Sequence, residues 1–279
     1  MPDVAFVNGR FLPLADAMVS IEDRGFQFGD GIYEVIRTYG GHPFELEAHL
    51  ARLDRSAHAL NLRQPYSHQQ WTQHIREGIR RAAFPESKVY VQITRGVAPR
   101  DHAYISDLSP TVVMTVREFR PLSPSVSAAG VEAMTIEDIR WGRCDIKSVN
   151  LLANVLARQQ AKQAQMFETI LIKDGQVTEG AVSNVMVVQN GAVITAPEGP
   201  RILSGVTRTV VLQVARQEGI HVQERYCSQA DLYNAAEVFL TGTTIEVLGV
   251  IRIDGKPISD GKPGPVTQRL ARQFLERTG

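Results

Sequence analysis

The chain has 279 residues, of which 43% are hydrophobic and 22% charged, and its 30 basic side chains balance 30 acidic ones. This composition builds the core of two ordinary domains or one large one and excludes a disordered chain, and zero net charge leaves no footprint of a nucleic-acid surface. Two distant cysteines, Cys144 and Cys227, exclude a disulfide framework and suit a reduced compartment; with no signal-peptide pattern over Met1 to Arg10 and no apolar run of about 20 residues, a soluble cytoplasmic protein is expected.

Val4 to Val7 and Arg10 to Leu14 flank Asn8-Gly9, a hairpin pattern. Gly29-Asp30-Gly31 predicts a tight turn. Ile32 to Tyr39 then alternates as a strand, with Tyr33, Val35, Arg37 and Tyr39 on one face. Leu46, Leu50, Leu53, Ala57 and Leu60 recur at helical spacing and form one apolar stripe. Ser67 caps a second predicted helix that runs to Ala83. Lys88 to Thr94 and Thr111 to Glu118 read as strands, with a loop rich in Pro, Asp and Ser between them.

Pro121 to Gly130, rich in Pro, Ser, Ala and Gly, is the expected boundary between a smaller domain over 1–120 and a larger one over 131–279. Beyond it, Val131 to Ile136 predicts a strand and Leu151 to Gln165 a helix. Hairpins follow at Asp174-Gly175 and Asn190-Gly191. Ser204 to Gln217 reads as a helix with Gly219 past its end. Val238 to Thr241 and Ile245 to Ile253 are strands, Asp254-Gly255 turns the chain, and Val266 to Arg277 closes as an amphipathic helix. The pattern is α+β, with meandering sheets and a few helices, not repeating βαβ units.

Six lysines are present, and five have solvated places in this pattern: Lys88 starts a strand, Lys162 lies on a polar helix stretch, and Lys173, Lys256 and Lys262 sit in turns. Lys147 lies between a strand-rich region and a helix. Such a junction can bury the stem of a lysine and turn its amine toward a cavity, where burial favours the neutral, nucleophilic form. Spacing alone favours a surface lysine paired with Asp145 or Glu137, since most lysines are structural. The seven histidines show no HExxH or Cys/His spacing, so no metal site is expected.

Cys144-Asp-Ile-Lys147-Ser-Val-Asn-Leu-Leu152, followed by Thr178-Glu179-Gly180-Ala-Val-Ser183-Asn184, resembles the fold type IV aminotransferases, which include the D-amino acid and branched-chain enzymes. Asp23-Arg-Gly-Phe-Gln-Phe-Gly-Asp-Gly-Ile-Tyr33-Glu, Ile202-Leu-Ser-Gly-Val-Thr207-Arg and Leu240-Thr-Gly-Thr-Thr-Ile-Glu246 extend the resemblance, in the family's order, over nearly the whole chain. It implies an α/β fold of two domains with pyridoxal 5'-phosphate in the cleft between them, and a homodimer whose site borrows residues from the partner.

The resemblance also implies roles. Lys147 carries the cofactor as a Schiff base and moves the substrate's α-proton. Glu179 faces the pyridine nitrogen and keeps it protonated. Arg52, Val206, Thr207, Gly242 and Thr243 bind the phosphate, the last four through a helix start and a hairpin turn, and Leu203 packs on the ring. Tyr33, Arg100 and His102 resemble the carboxylate trap of D-amino acid aminotransferases. The expected reaction is transamination of D-amino acids, such as D-alanine and D-glutamate, with 2-oxoglutarate or pyruvate. The alternatives are a branched-chain L-aminotransferase, an aminodeoxychorismate lyase on the same fold, and a phosphate-binding protein without turnover. No role is expected for Arg37.

Overall fold

The computed structural model describes residues 3–279. The chain divides into two compact units: the first runs through Arg120 and includes Ile146–Asn150, and the second comprises Pro121–Asp145 and Leu151–Gly279.

In the first unit the strands are β1 (Val4–Val7), β2 (Arg10–Pro13), β3 (Gly31–Tyr39), β4 (His42–Pro43), β5 (Ser87–Thr94) and β6 (Thr111–Glu118), and the helices are α1 (Arg24–Phe28), α2 (Leu46–Ala59) and α3 (His68–Ala82). The sheet order is β2-β1-β6-β5-β3-β4, antiparallel throughout. The period-2 pattern puts Phe6, Ile32, Ile36, Val91, Ile93 and Met114 on one face. There they meet the stripe of α2 (Leu46, Leu50, Leu53, Ala57) and the Trp71, Ile75 and Ile79 side of α3. The Asn8-Gly9 turn takes the two positive φ angles that its sequence predicts.

β3 pairs with β5 along Gly31–Arg37, but β4 covers its other edge only at Thr38 and Tyr39. The remaining edge needs partners, and Lys147–Val149 supplies them. Tyr33 N donates to Lys147 O (3.0 Å), Val149 N donates to Gly31 O (3.0 Å), and Ile32 and Ser148 form an antiparallel bridge. Ile146 is buried in the same core. This corrects the expected 131–279 domain: the segment that bears Lys147 belongs to the first unit, because its pairing is non-local. The expected linker is corrected as well. Pro121 to Gly130 lies in the second unit and contains α4 (Pro124–Ala129), started by Pro124 and capped by the Ser123 hydroxyl, which accepts from Val126 N.

The second unit continues with β7 (Val131–Glu137), α5 (Leu152–Gln163), β8 (Glu168–Lys173), β9 (Gln176–Gly180), β10 (Asn184–Gln189) and β11 (Ala192–Thr195). Then come α6 (Val206–Gln217), β12 (Val222–Glu224), α7 (Gln229–Tyr233), β13 (Glu237–Gly242), β14 (Glu246–Ile253), β15 (Lys256–Pro257) and α8 (Pro265–Glu276). The sheet order is β12-β11-β10-β13-β14-β7-β8-β9, with β15 on β14. Pairing is parallel at β11/β12, β14/β7 and β7/β8, so the sheet is mixed rather than a pure meander. Val131, Ile170, Val185, Leu240, Leu248 and Val250 share its main core, and Ala157 of α5 packs on Leu171 and Ala181. α1, β12 and α7 were not expected; each is too short to show periodicity.

The Ser67 hydroxyl accepts from Gln70 N while the Gln70 side chain accepts from Ser67 N, a complete capping box at the start of α3. Ser67→Ala is expected to lower stability by about 1 kcal/mol, measured as a shift in the urea midpoint; an unchanged midpoint would mean the box adds nothing to the fold.

Candidate active site

In the first unit the site grows from the edge of β3. Lys147 N donates to the hydroxyl of buried Ser56 on α2 (3.1 Å), which fixes the backbone beneath the side chain. Lys147 Nζ lies 4.3 Å from the centre of the Tyr33 ring, a cation–π distance. Asp145, the partner that spacing also allowed, is engaged by Arg143 instead. Tyr33 stacks on Tyr90 at 5.7 Å, and the Tyr90 hydroxyl donates to Gln92 Oε1 (2.6 Å). Burial, with the neighbouring Tyr33, pushes the Tyr90 phenol up to about 12, so it stays protonated and donates.

The other face of β3 carries Glu34. Its carboxylate accepts from Arg52 Nε (2.7 Å), Arg52 Nη2 (2.8 Å) and His49 Nδ1 (2.8 Å). His49, Arg52 and Ser56 follow one another along one side of α2 and face this strand. All three members of the Glu34 cluster are buried. Burial alone would raise the Glu34 carboxyl, but the charge and hydrogen bonds of Arg52, with His49, hold it well below the usual carboxylate range. Burial pushes His49 down against the pull of Glu34, and the positive charges of Arg52 and Lys147 act in the same direction as burial. His49 is therefore a neutral donor. Arg52, a plausible surface residue by spacing, is a buried one.

Arg100 and His102 occupy the exposed loop after β5. Both rest on Phe28 of α1, the Arg100 guanidinium 4.6 Å and the His102 ring 5.4 Å from its centre. Buried Arg24 holds this loop by donating to Asp101 O (2.6 Å) and His102 O (3.1 Å) while paired with Asp30 (2.9 Å). Among the described residues Tyr33 meets Tyr90 and Lys147, whereas Arg100 and His102 meet Phe28. Arg37 is buried against Tyr39 (4.1 Å) and Phe119 (4.6 Å), a packing position.

In the second unit Glu179, near the end of β9, is buried rather than a loose turn carboxylate. Its Oε2 accepts from Asn184 Nδ2 (2.9 Å) and Leu203 N (3.0 Å), and its Oε1 accepts from Arg140 Nη1. Burial pushes Glu179 up to about 7, with Arg140 pulling the other way. Asn184 organises the rest. Its amide also donates to Leu203 O (2.9 Å), and its backbone pairs with Thr241, just before Gly242 and Thr243. A Cβ on Gly205 would fall 2.0 Å from Asn184 Oδ1, so only glycine fits where the chain enters α6. That helix starts at Gly205 with no side-chain cap, which leaves the first-turn N–H groups at Val206 and Thr207 for an anion. Asn184 thus joins Leu203, Gly205 at the start of α6 and Thr241 of β13.

Sequence reasoning missed Glu34, His49, Asn184, Asp138 and Arg140. Glu34 and Asn184 close two of the motif blocks and could have been found there. His49 faces Glu34 only once α2 docks. Asp138 and Arg140 show no spacing signal.

A model of the amino-transferase class IV family matches residues 31–253. A D-alanine aminotransferase of Bacillus licheniformis is 44% identical over 264 residues, 94% of this chain and 93% of the relative. A D-alanine aminotransferase of Staphylococcus haemolyticus is 41% identical over 271 residues, 96% and 95% of the two chains. Among solved structures, the Escherichia coli branched-chain amino acid aminotransferase superposes with a TM-score of 0.92 at 26% identity, covering 99% of this chain and 94% of that one. The T.th. branched-chain amino acid aminotransferase with pyridoxamine 5'-phosphate gives 0.91 at 28% identity, covering 99% and 93%.

The Glu34 cluster predicts a pH dependence. The folded-state value of Glu34 lies below its unfolded one, so the ionised carboxylate stabilises the fold above the ordinary carboxylate range. That stabilisation is lost as pH falls through the unfolded value toward the folded one. Glu34→Gln leaves Arg52 buried without its partner. It should lower stability by about 3–5 kcal/mol at neutral pH and flatten the acid limb of a plot of urea midpoint against pH. An acid limb as steep as in the unaltered protein would show that Glu34 does not supply it.

Proposed function

Because the chain belongs to the amino-transferase class IV family, we propose that it transfers the amino group of a D-amino acid, such as D-alanine or D-glutamate, to pyruvate or 2-oxoglutarate with pyridoxal 5'-phosphate as cofactor. The observation that carries this reading is the 44% identity, over nearly the full length of both chains, to a protein named D-alanine aminotransferase.

The donor set fits that cofactor. It needs an amine for its aldehyde, an acid for its ring nitrogen and N–H groups for its phosphate. Lys147 offers the first, buried Glu179 the second, and the uncapped start of α6 the third. When bound, the cofactor supplies an electron-poor ring that accepts the electron pair left as the substrate's Cα–H bond breaks. Lys147 Nζ would hold it covalently and would carry the substrate's α-proton. Glu179 holds the proton of the ring nitrogen. Arg52 and the backbone at Val206, Thr207, Gly242 and Thr243 bind the phosphate, and Leu203 packs on the ring. Glu34 and His49 fix the position of Arg52.

Stereochemistry follows from the carboxylate. The α-hydrogen must point at Lys147, so chirality depends on which side takes the carboxylate and which the side chain. Tyr33 supplies a hydroxyl, Arg100 a bidentate guanidinium and His102 an imidazole donor. Arg100 and His102 stand away from Tyr33 in their own chain, on a loop flanked by exposed Ile21, Phe26, Val97 and Ile105. We therefore infer a homodimer in which this loop serves the site of the second copy. Free thiols at Cys144 and Cys227 support a reduced, cytoplasmic setting.

Two outcomes are expected. Lys147→Ala should fold with an unchanged circular dichroism spectrum and lose nearly all turnover in a coupled assay; substantial turnover would remove Lys147 from the chemistry. Arg100→Leu should weaken D-substrates by about 1.5–3 kcal/mol, the range for a hydrogen bond to a charged group, with cofactor affinity nearly unchanged. Half-reactions with D and L forms of alanine and glutamate read this out. Equal loss for both hands, or preference of the unaltered enzyme for L-valine and L-leucine, would favour the branched-chain activity instead.

A further inference from the structure

The carboxylate proposed to face the cofactor ring is the end of a longer arrangement. Arg140 presents one edge of its guanidinium to Asp138, with Nε on Oδ1 (2.9 Å) and Nη2 on Oδ2 (2.7 Å). Its remaining nitrogen, Nη1, donates to Glu179 Oε1. Nη2 also reaches Arg201 O (3.2 Å), and the Thr178 hydroxyl donates to Asp138 Oδ2 (2.9 Å). The side chains of Asp138, Arg140 and Glu179 are 5–7% exposed, so water screens none of them well.

The charges do not balance. Arg140 brings one positive charge, and Asp138 and Glu179 bring one negative charge each when ionised. The other groups facing the cluster do not close the gap. Lys173 Nζ lies at the Asp138 carbonyl, 3.2 Å away, not at its carboxylate. Arg201 contributes only a carbonyl. Burial pushes the Cys144 thiol up to about 11, so it stays neutral. Asn184 and Leu203 N are neutral donors. A buried anion without a full partner is costly, and the cost is relieved by a proton or by a cationic group.

Resting on the reading of Glu179 as the ring-facing acid, we infer that Asp138 and Arg140 are positioning residues for it. Together with Glu179 they form a buried three-charge cluster that is one positive charge short and that a proton-bearing ring nitrogen completes. Arg140 fixes the orientation of Glu179 and favours its ionised form. Asp138 draws off part of the Arg140 charge and so keeps Glu179 ready to share a proton. Were Arg140 to serve Glu179 alone, the acid would be satisfied without the ring. Were Arg140 absent, Glu179 would be a neutral acid unable to hold a cationic nitrogen.

The two residues therefore push in opposite directions, which mere structural support would not do. The test follows the δ-carboxyl carbon of Glu179 by NMR as pH is varied, in holoenzyme carrying 13C-labelled glutamate, with the signal assigned by its loss in Glu179→Gln. Asp138→Asn, nearly isosteric, should lower the Glu179 midpoint. Arg140→Gln should raise it by about one pH unit or more, the range for loss of a contacting opposite charge, and Arg140→Lys should bring it back toward the original value. Shifts of the same sign in Asp138→Asn and Arg140→Gln, or an unmoved midpoint in Asp138→Asn, would overturn the inference. If Arg140→Gln does not fold, Asp138→Asn decides alone. None of these readings depends on which amino acid is consumed, so failure of the D-amino acid assignment would appear elsewhere.

Discussion

The half-covered edge of β3 governs where the chemistry can be. A strand whose N–H and C=O groups lack partners must find them, and the chain answers by returning Lys147–Val149 to the first unit to pair with Gly31–Tyr33. Two main-chain hydrogen bonds and the Ser56 contact then fix the Lys147 amine over Tyr33. A lysine on a free loop would sample many positions; this one is set by sheet geometry. The same strand alternates, so its other face delivers Glu34 to Arg52 and His49. One register therefore places the Lys147 amine, an aromatic neighbour and the carboxylate that holds Arg52.

Two buried carboxylates show how surroundings divide the labour. Glu34 meets a full bidentate arginine plus a histidine donor, and stays ionised. Glu179 shares its arginine with Asp138, and burial prevails. The same residue type is thus held ionised in one unit and pushed toward its neutral form in the other, and the difference is the number of positive charges within contact distance.

Most regular elements were legible because they rest on local rules. Alternation located β3, β5 and β6. Positive-φ pairs at Asn8-Gly9, Asp174-Gly175 and Asn190-Gly191 located hairpins. Ser67 announced α3. What local rules do not carry was missed. The composition of Pro121 to Gly130 resembles a linker, yet Pro at the first position and Ser at the cap also suit the short helix found there. The return of Lys147 to β3 is a pairing across more than a hundred residues, and periodicity has no access to it. Lys147 and Glu179 stood out through motif resemblance; Arg140, which meets Glu179, and its partner Asp138 lie in a loop without a spacing signal.

Lys147, whose amine lies over Tyr33, is the lysine proposed to engage the cofactor. Borohydride reduction of the holoenzyme followed by peptide mapping addresses it directly. A stable cofactor adduct is expected on the peptide containing Lys147 and on no other lysine. An adduct on Lys88 or Lys173, or none on Lys147, would contradict it.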